Sequence, residues 1–246
     1  MLTAYSNLPA RERIIVALDC GVGQAMDLAD VLHGHATWLK IGMTLFYKLG
    51  PQIVYDFKSR GYKIFLDLKF HDIPHQVRGA ATSATHNGAD MITMHAIGGI
   101  EMMKAAKEGS EAAAAEFGLE MPITLGITVL TSMDQATLEA TGVQRPVADQ
   151  VLALAQQART AGLSGVVASP MEAAMLREAL GPDAAIVTPG VRPAGADVGD
   201  QKRIATPAAA LGAGASHLVI GRPIKQAEDP AAAFEAIVAE IEEAGV

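Results

Sequence analysis

Residues of opposite charge crowd into one short stretch, Phe65-Leu-Asp67-Leu-Lys69-Phe-His71-Asp72-Ile73-Pro74. On a regular strand Asp67 and Lys69 face the same side, with Cα atoms about 6 to 7 Å apart, and Asp72 follows where the chain turns. A lysine interleaved between carboxylates is held in its ammonium form. Such a group is a proton donor and not a resting amine nucleophile. Asp19, which closes Val16-Ala-Leu-Asp19, and Lys40, inside Leu39-Lys-Ile-Gly42, would extend the alternation into a network. Taken alone, D-x-K-x-x-D also fits a strand-end ion-pair lattice, which perturbs pKa values without doing chemistry.

A second constellation lies in the last third. Thr188-Pro-Gly-Val-Arg192-Pro193 ends one apolar run, and Val219-Ile-Gly221-Arg222-Pro223 ends another. Between them a Gly/Ala/Asp-rich stretch from Ala194 to Asp200 leads into Gln201-Lys202-Arg203 and reads as a loop. A glycine lets backbone N–H groups approach a phosphate, and an arginine fork adds charge and two donors. One Gly-Arg turn fits a solvated arginine equally well; two such turns favour an anion site.

These residues need a frame that brings strand ends together. Apolar, β-branched runs alternate with longer Ala-rich amphipathic stretches, the pattern of repeated βα units around a buried parallel sheet. The expected strands are Arg13–Asp19, Thr37–Gly42, Lys63–Phe70, Ala89–Ala96, Pro122–Leu130, Gly165–Pro170, Ala184–Val191 and His217–Gly221. The expected helices include Pro74–His86, Glu101–Phe117, Val147–Ala161, Met171–Leu180 and Pro230–Glu243, with glycines at 88, 118, 162, 181 and 245 suited to ending them. Eight strands within 246 residues predict one (β/α)8 TIM barrel spanning residues 1–246. No linker divides the chain, and the first strand lacks the G-x-G-x-x-G of an open dinucleotide-binding sheet. Active sites of such barrels lie at the C-terminal ends of the strands, where both constellations fall.

Composition narrows the partners. A net charge of -8 and a pI near 5.3 provide no general basic field, so neither nucleic acid nor an anionic membrane is an expected partner. One cysteine, Cys20, excludes an internal disulfide and suits a reducing compartment, with the cytoplasm as the default. Met1 to Arg13 lacks the basic start and apolar run of a signal peptide, and charges interrupt every apolar stretch short of a membrane span. His71 and His75 have the spacing of a helical metal pair, but Pro74 between them points to a turn, and no metal is expected. His95 reads as a structural residue at a strand end.

In these strings the chain closely resembles the orotidine 5'-phosphate decarboxylase family of bacterial type, from Arg13 to Ile224. The match rests on Val16–Asp19, Leu39–Gly42, Leu66–Pro74, Val129–Ser132, Thr188–Pro193 and Ile220–Pro223, in family order. The resemblance implies a homodimeric barrel that converts orotidine 5'-monophosphate to UMP and CO2, the last step of de novo pyrimidine nucleotide synthesis, with no cofactor. It implies that Lys69 protonates C6, that Asp67 lies beside the departing carboxylate, and that Asp72 contacts the ribose of the neighbouring subunit's substrate. Asp19 and Lys40 would bind ribose hydroxyls. Thr131 or the adjacent Ser132 would meet the pyrimidine edge, Ile73 would join the substrate contacts, and Gln201, Arg192, Gly221 and Arg222 would hold base and phosphate.

Two other readings differ in testable ways. A hexulose-phosphate synthase-like aldolase would use a similar strand with a divalent metal and needs a metal carboxylate near strand two, where this chain has Lys40. A catalytically silent nucleotide-binding barrel has no need for a lysine held between carboxylates.

Overall fold

Apolar runs and amphipathic stretches resolve into eight parallel strands that close in sequence order, the first pairing with the last. They are β1 (Ile14–Ala17), β2 (Trp38–Gly42), β3 (Lys63–Phe70), β4 (Met91–His95), β5 (Ile123–Ile127), β6 (Gly165–Val167), β7 (Ala185–Pro189) and β8 (His217–Ile220). The helices are α1 (Val22–Val31), α2 (Met43–Leu49), α3 (Gln52–Ser59), α4 (Pro74–His86), α5 (Ile100–Phe117), α6 (Gln135–Ala140), α7 (Val147–Thr160), α8 (Ala173–Leu180), α9 (Pro207–Gly212), α10 (Arg222–Lys225) and α11 (Pro230–Ala244). This computed structural model describes residue 5, residues 7–193 and residues 205–246. Among them no helix is long and apolar enough to cross a membrane.

The barrel expectation holds, with shifts at element ends that have local causes. The run Pro122–Leu130 leaves the sheet after Ile127, although Thr128 still donates its N–H and its hydroxyl to the carbonyl of Val167. The stretch Met171–Leu180 splits into a 3-10 turn, Pro170–Glu172, and then α8. Ser169 and Glu172 satisfy each other's backbone N–H groups there in a capping box. Pro74 occupies the first turn of α4, where its missing N–H costs nothing. Asp229 caps α11 by accepting from the Ala232 N–H, and Gly118 and Gly245 end α5 and α11 in the left-handed conformation.

Both faces of the sheet are covered, so β1 and β2 are buried at every position. The outward residues pack under the helices, while Ile15, Ala17, Trp38, Phe65, Met91 and Leu125 belong to a separate cluster inside the barrel. Side chains alternate along a strand. Two residues on from the interior positions Ala17, Trp38, Phe65 and Met91 stand Asp19, Lys40, Asp67 and Thr93. Apolar layers thus fill the lower barrel, and a polar layer caps it.

The opposite end is closed by buried cations on backbone carbonyls. Arg13 donates to Ala215 and Ser216, and Arg177 to Gly181, Pro182, Ala184 and Gly214. His217 is buried among them, edge-on to Tyr5 and Trp38.

Candidate active site

At the C-terminal mouth the charges of the first three strands form a continuous chain. Lys40 Nζ lies 2.9 Å from Asp19 Oδ1 and 3.4 Å from Asp67 Oδ2, and Lys69 Nζ lies 2.7 Å from the same Asp67 oxygen. Lys40 and Asp67 are buried, whereas the Asp19 side chain is 57% exposed, so the network runs from solvent into the barrel. Burial opposes the charge on Lys40, but Asp67 and Asp19 outweigh it and raise its pKa. Burial likewise opposes the Asp67 carboxylate, and Lys40, Lys69 and the Thr93 hydroxyl bring it below the usual range. Both therefore carry charge at neutral pH. Gly42 makes room for this contact, since a Cβ there would fall 2.9 Å from Asp19 Oδ1 and 3.4 Å from Lys40 Nζ.

Asp67 and Lys69 meet, but not through the regular strand that their spacing suggests. β3 and β4 lose register between Leu66 and Phe70. Lys69 sits at φ 55, the one positive φ outside glycine among the described residues. Such a backbone costs about 1 to 3 kcal/mol and persists only where surrounding contacts over-determine it. The distortion turns the lysine toward the carboxylate two residues before it.

Across the mouth, a cavity of about 480 Å³ joins this network to the ends of β5, β7 and β8. Asp19, Lys40, Asp67 and Lys69 line one side. Thr131, Arg192, Gly221 and Arg222 line it too, while Ser132, the alternative to Thr131, does not. Arg192 is buried and its guanidinium donates to the carbonyl of Val191. Gly190 turns the chain there with φ 79. Lys225, which sequence reasoning missed, also lines the cavity, and its ammonium donates to the backbone carbonyl of Asp19. The only signal for it was a basic residue three positions after Arg222.

Asp72 and Ile73 stand apart from the cavity. Both are exposed, and the Asp72 carboxylate accepts from the Ile73 N–H at 2.6 Å. Gln201 lies outside the described residues. His71 stacks at a tilt on His95, with ring centroids 5.4 Å apart, while His75 enters the first turn of α4. Burial, then His71 and Lys69, lowers the pKa of His95. Among the described residues no group of three or more His, Cys, Asp or Glu is arranged to hold a metal ion.

A family model described as orotidine 5'-phosphate decarboxylase / HUMPS family matches residues 12–237. The chain belongs to this family. A protein of Moorella thermoacetica named orotidine 5'-phosphate decarboxylase is 50% identical over 238 residues, 96% of this chain and 94% of its own length. A protein of the same name from Halorhodospira halophila is 50% identical over 240 residues, 97% of this chain and 100% of its own. Among solved structures, orotidine 5'-phosphate decarboxylase from Lactobacillus acidophilus superposes with a TM-score of 0.84 at 40% identity, covering 94% of this chain and 99% of that one.

Proposed function

We propose that this chain decarboxylates orotidine 5'-monophosphate to UMP and CO2, a step of pyrimidine nucleotide biosynthesis, with no metal or organic cofactor. The observation that carries the reading is the sharing of Asp67 Oδ2 by two ammonium groups at the edge of a cavity whose far side carries Arg192 and Arg222. The cavity volume of about 480 Å³ falls within the range of small-molecule pockets, about 300 to 1,000 Å³.

Breaking the bond between C6 and the carboxylate leaves an electron pair that the pyrimidine π-system does not delocalise. Fixed charge must stabilise it where it forms, and preorganised charge in a water-poor site does this without reorganising during the reaction. Lys69 supplies that charge and then its proton to C6, giving UMP, after which solvent reprotonates the amine. Asp67 holds the ammonium in place and lies beside the departing carboxylate. Lys40 and Asp19 bind ribose hydroxyls, and Thr131 meets the pyrimidine edge. Arg192, Gly221 and Arg222, with Gln201, grip base and phosphate. Binding energy from that remote phosphate supports turnover by holding the reacting carbon against Lys69.

Asp72 acts on a second subunit's substrate in this reading, together with Ile73. Their position outside their own cavity supports it, as do the exposed apolar side chains of Tyr47, Ile73 and Ile97, on segments that follow three successive strands. A homodimer working in the cytoplasm, with no nucleic acid or membrane partner, completes the assignment.

The family also covers the HUMPS branch, which the aldolase alternative represents. Lys40 on β2, inside the ion-pair network and not a carboxylate, favours the decarboxylase. Loss of the ultraviolet absorbance of orotidine 5'-monophosphate, followed with excess chelator, tests the assignment. Turnover that survives the chelator is expected, and folded protein without turnover overturns it.

A further inference from the structure

Beyond the charged residues, the interruption in the β3–β4 pairing singles out a neutral one. Leu66 is registered with Ile92 and Phe70 with Met94, so Asp67, Leu68 and Lys69 stand opposite the single residue Thr93. A bulge of this kind removes ladder partners and leaves backbone groups to be satisfied in some other way. Thr93 is completely buried, faces the barrel interior and does not line the cavity. Its Oγ1 accepts the Lys69 backbone N–H at 3.0 Å and donates its own hydrogen to Asp67 Oδ1 at 3.0 Å. The directions are unambiguous, because a backbone N–H only donates, an ionised carboxylate only accepts, and the hydroxyl has a single hydrogen to give and lone pairs to receive with.

We propose that Thr93 is a positioning residue: its one hydroxyl holds the Lys69 backbone in its left-handed turn and sets the rotation of the Asp67 carboxylate, so that Oδ2 faces both lysines. The inference rests on the decarboxylase reading and assigns the residue that registers the proton donor against its carboxylate. Valine has nearly the same shape but makes neither bond. In its place the Lys69 amide is left buried without an acceptor, and Asp67 loses the partner that fixes its plane. Serine keeps both bonds.

The test compares Thr93→Val and Thr93→Ser in the full-length protein. kcat and KM for orotidine 5'-monophosphate are measured separately, alongside hydrogen exchange of the Lys69 amide without substrate. Misplacing a reacting group by about 1 Å costs about 10²-fold, so Thr93→Val should lose about that much kcat with little change in KM. Thr93→Ser should stay near wild type. The Lys69 amide should be protected in the wild type and in Thr93→Ser, and exposed to exchange in Thr93→Val. If Thr93→Val does not fold, Thr93→Cys makes the same comparison, since a thiol is a weak donor and acceptor. Wild-type kcat and amide protection in the valine variant would overturn the proposal, as would equal losses in the serine and valine variants. Absence of turnover by the wild type would remove the decarboxylase reading instead, and the amide comparison would still decide whether Thr93 holds Lys69.

Discussion

Lys69 Nζ lies 2.7 Å from Asp67 Oδ2, while the backbone N–H of the same lysine is tied to the hydroxyl that binds Asp67 Oδ1. Both ends of Lys69 are thus referenced to one carboxylate. Because that carboxylate is buried and ionised, its position is set by hydrogen bonds and not by solvent.

Lys69→Ala should lower kcat by at least the factor usual for a general acid, about 10² to 10⁴, while circular dichroism remains that of a folded barrel. Lys69→Arg should fail as well, because a guanidinium is too weak an acid and too wide for a site shaped around an ammonium. A variant within about tenfold of wild type would remove the proton-donor role.

Arg222→Ala should weaken binding of substrate and UMP by about 2 to 4 kcal/mol through loss of a charge-assisted contact to the phosphate. Orotidine, which lacks the phosphate, separates causes. Equal slowing of both substrates would make Arg222 structural.

Asp72, exposed on its own chain, is predicted to serve a partner's site. Mixing Lys69→Ala with Asp72→Ala subunits puts both lesions in one site of each heterodimer and leaves the other intact. Each heterodimer should show up to about half the activity of a wild-type dimer, and a randomly exchanged equal mixture about a quarter, while each parent stays nearly inactive. No recovery, under conditions where native mass spectrometry records subunit exchange, would return Asp72 to its own subunit.

Acid should destabilise the barrel through its closed end. Burial, with Arg13 and Lys63 nearby, brings the His217 pKa down to about 3, against about 6.5 for an unfolded histidine. The unfolded chain therefore binds one more proton between these values. This residue's contribution is complete above about pH 6.5 and falls by about 1.4 kcal/mol per unit as pH drops toward about 3. Urea midpoints across this range should lose that slope in His217→Gln, and an unchanged slope would assign it to other groups.

What could be read from residues alone, and what could not, divides along physical lines. Asp19, Lys40 and Asp67 were legible because each is a charge at the end of an apolar run, and period-two alternation carries it to the barrel mouth. Arg192 and Arg222 were legible because each stands within two positions of a glycine at a strand end. Thr93 was not, since threonine is common in strands and nothing nearby marks a bulge. Nor was the backbone of Lys69: no Gly or Asn announces a positive φ within β3, and only the missing register with β4 reveals it. α2 and α3 escaped for a different reason, as Gly50 and Pro51 cut one amphipathic stretch into two short helices.

The seam where β1 meets β8 bears on how the protein is made. Asp19, Lys40, Asp67 and Lys69 leave the ribosome well before Gly221, Arg222 and Lys225. The two sides of the cavity become neighbours only when the last strand zips onto the first. A nascent chain, or one clipped before β8, has the ion-pair network without the wall formed by Gly221, Arg222 and Lys225, so a ligand that spans the cavity can resist unfolding only of the closed barrel.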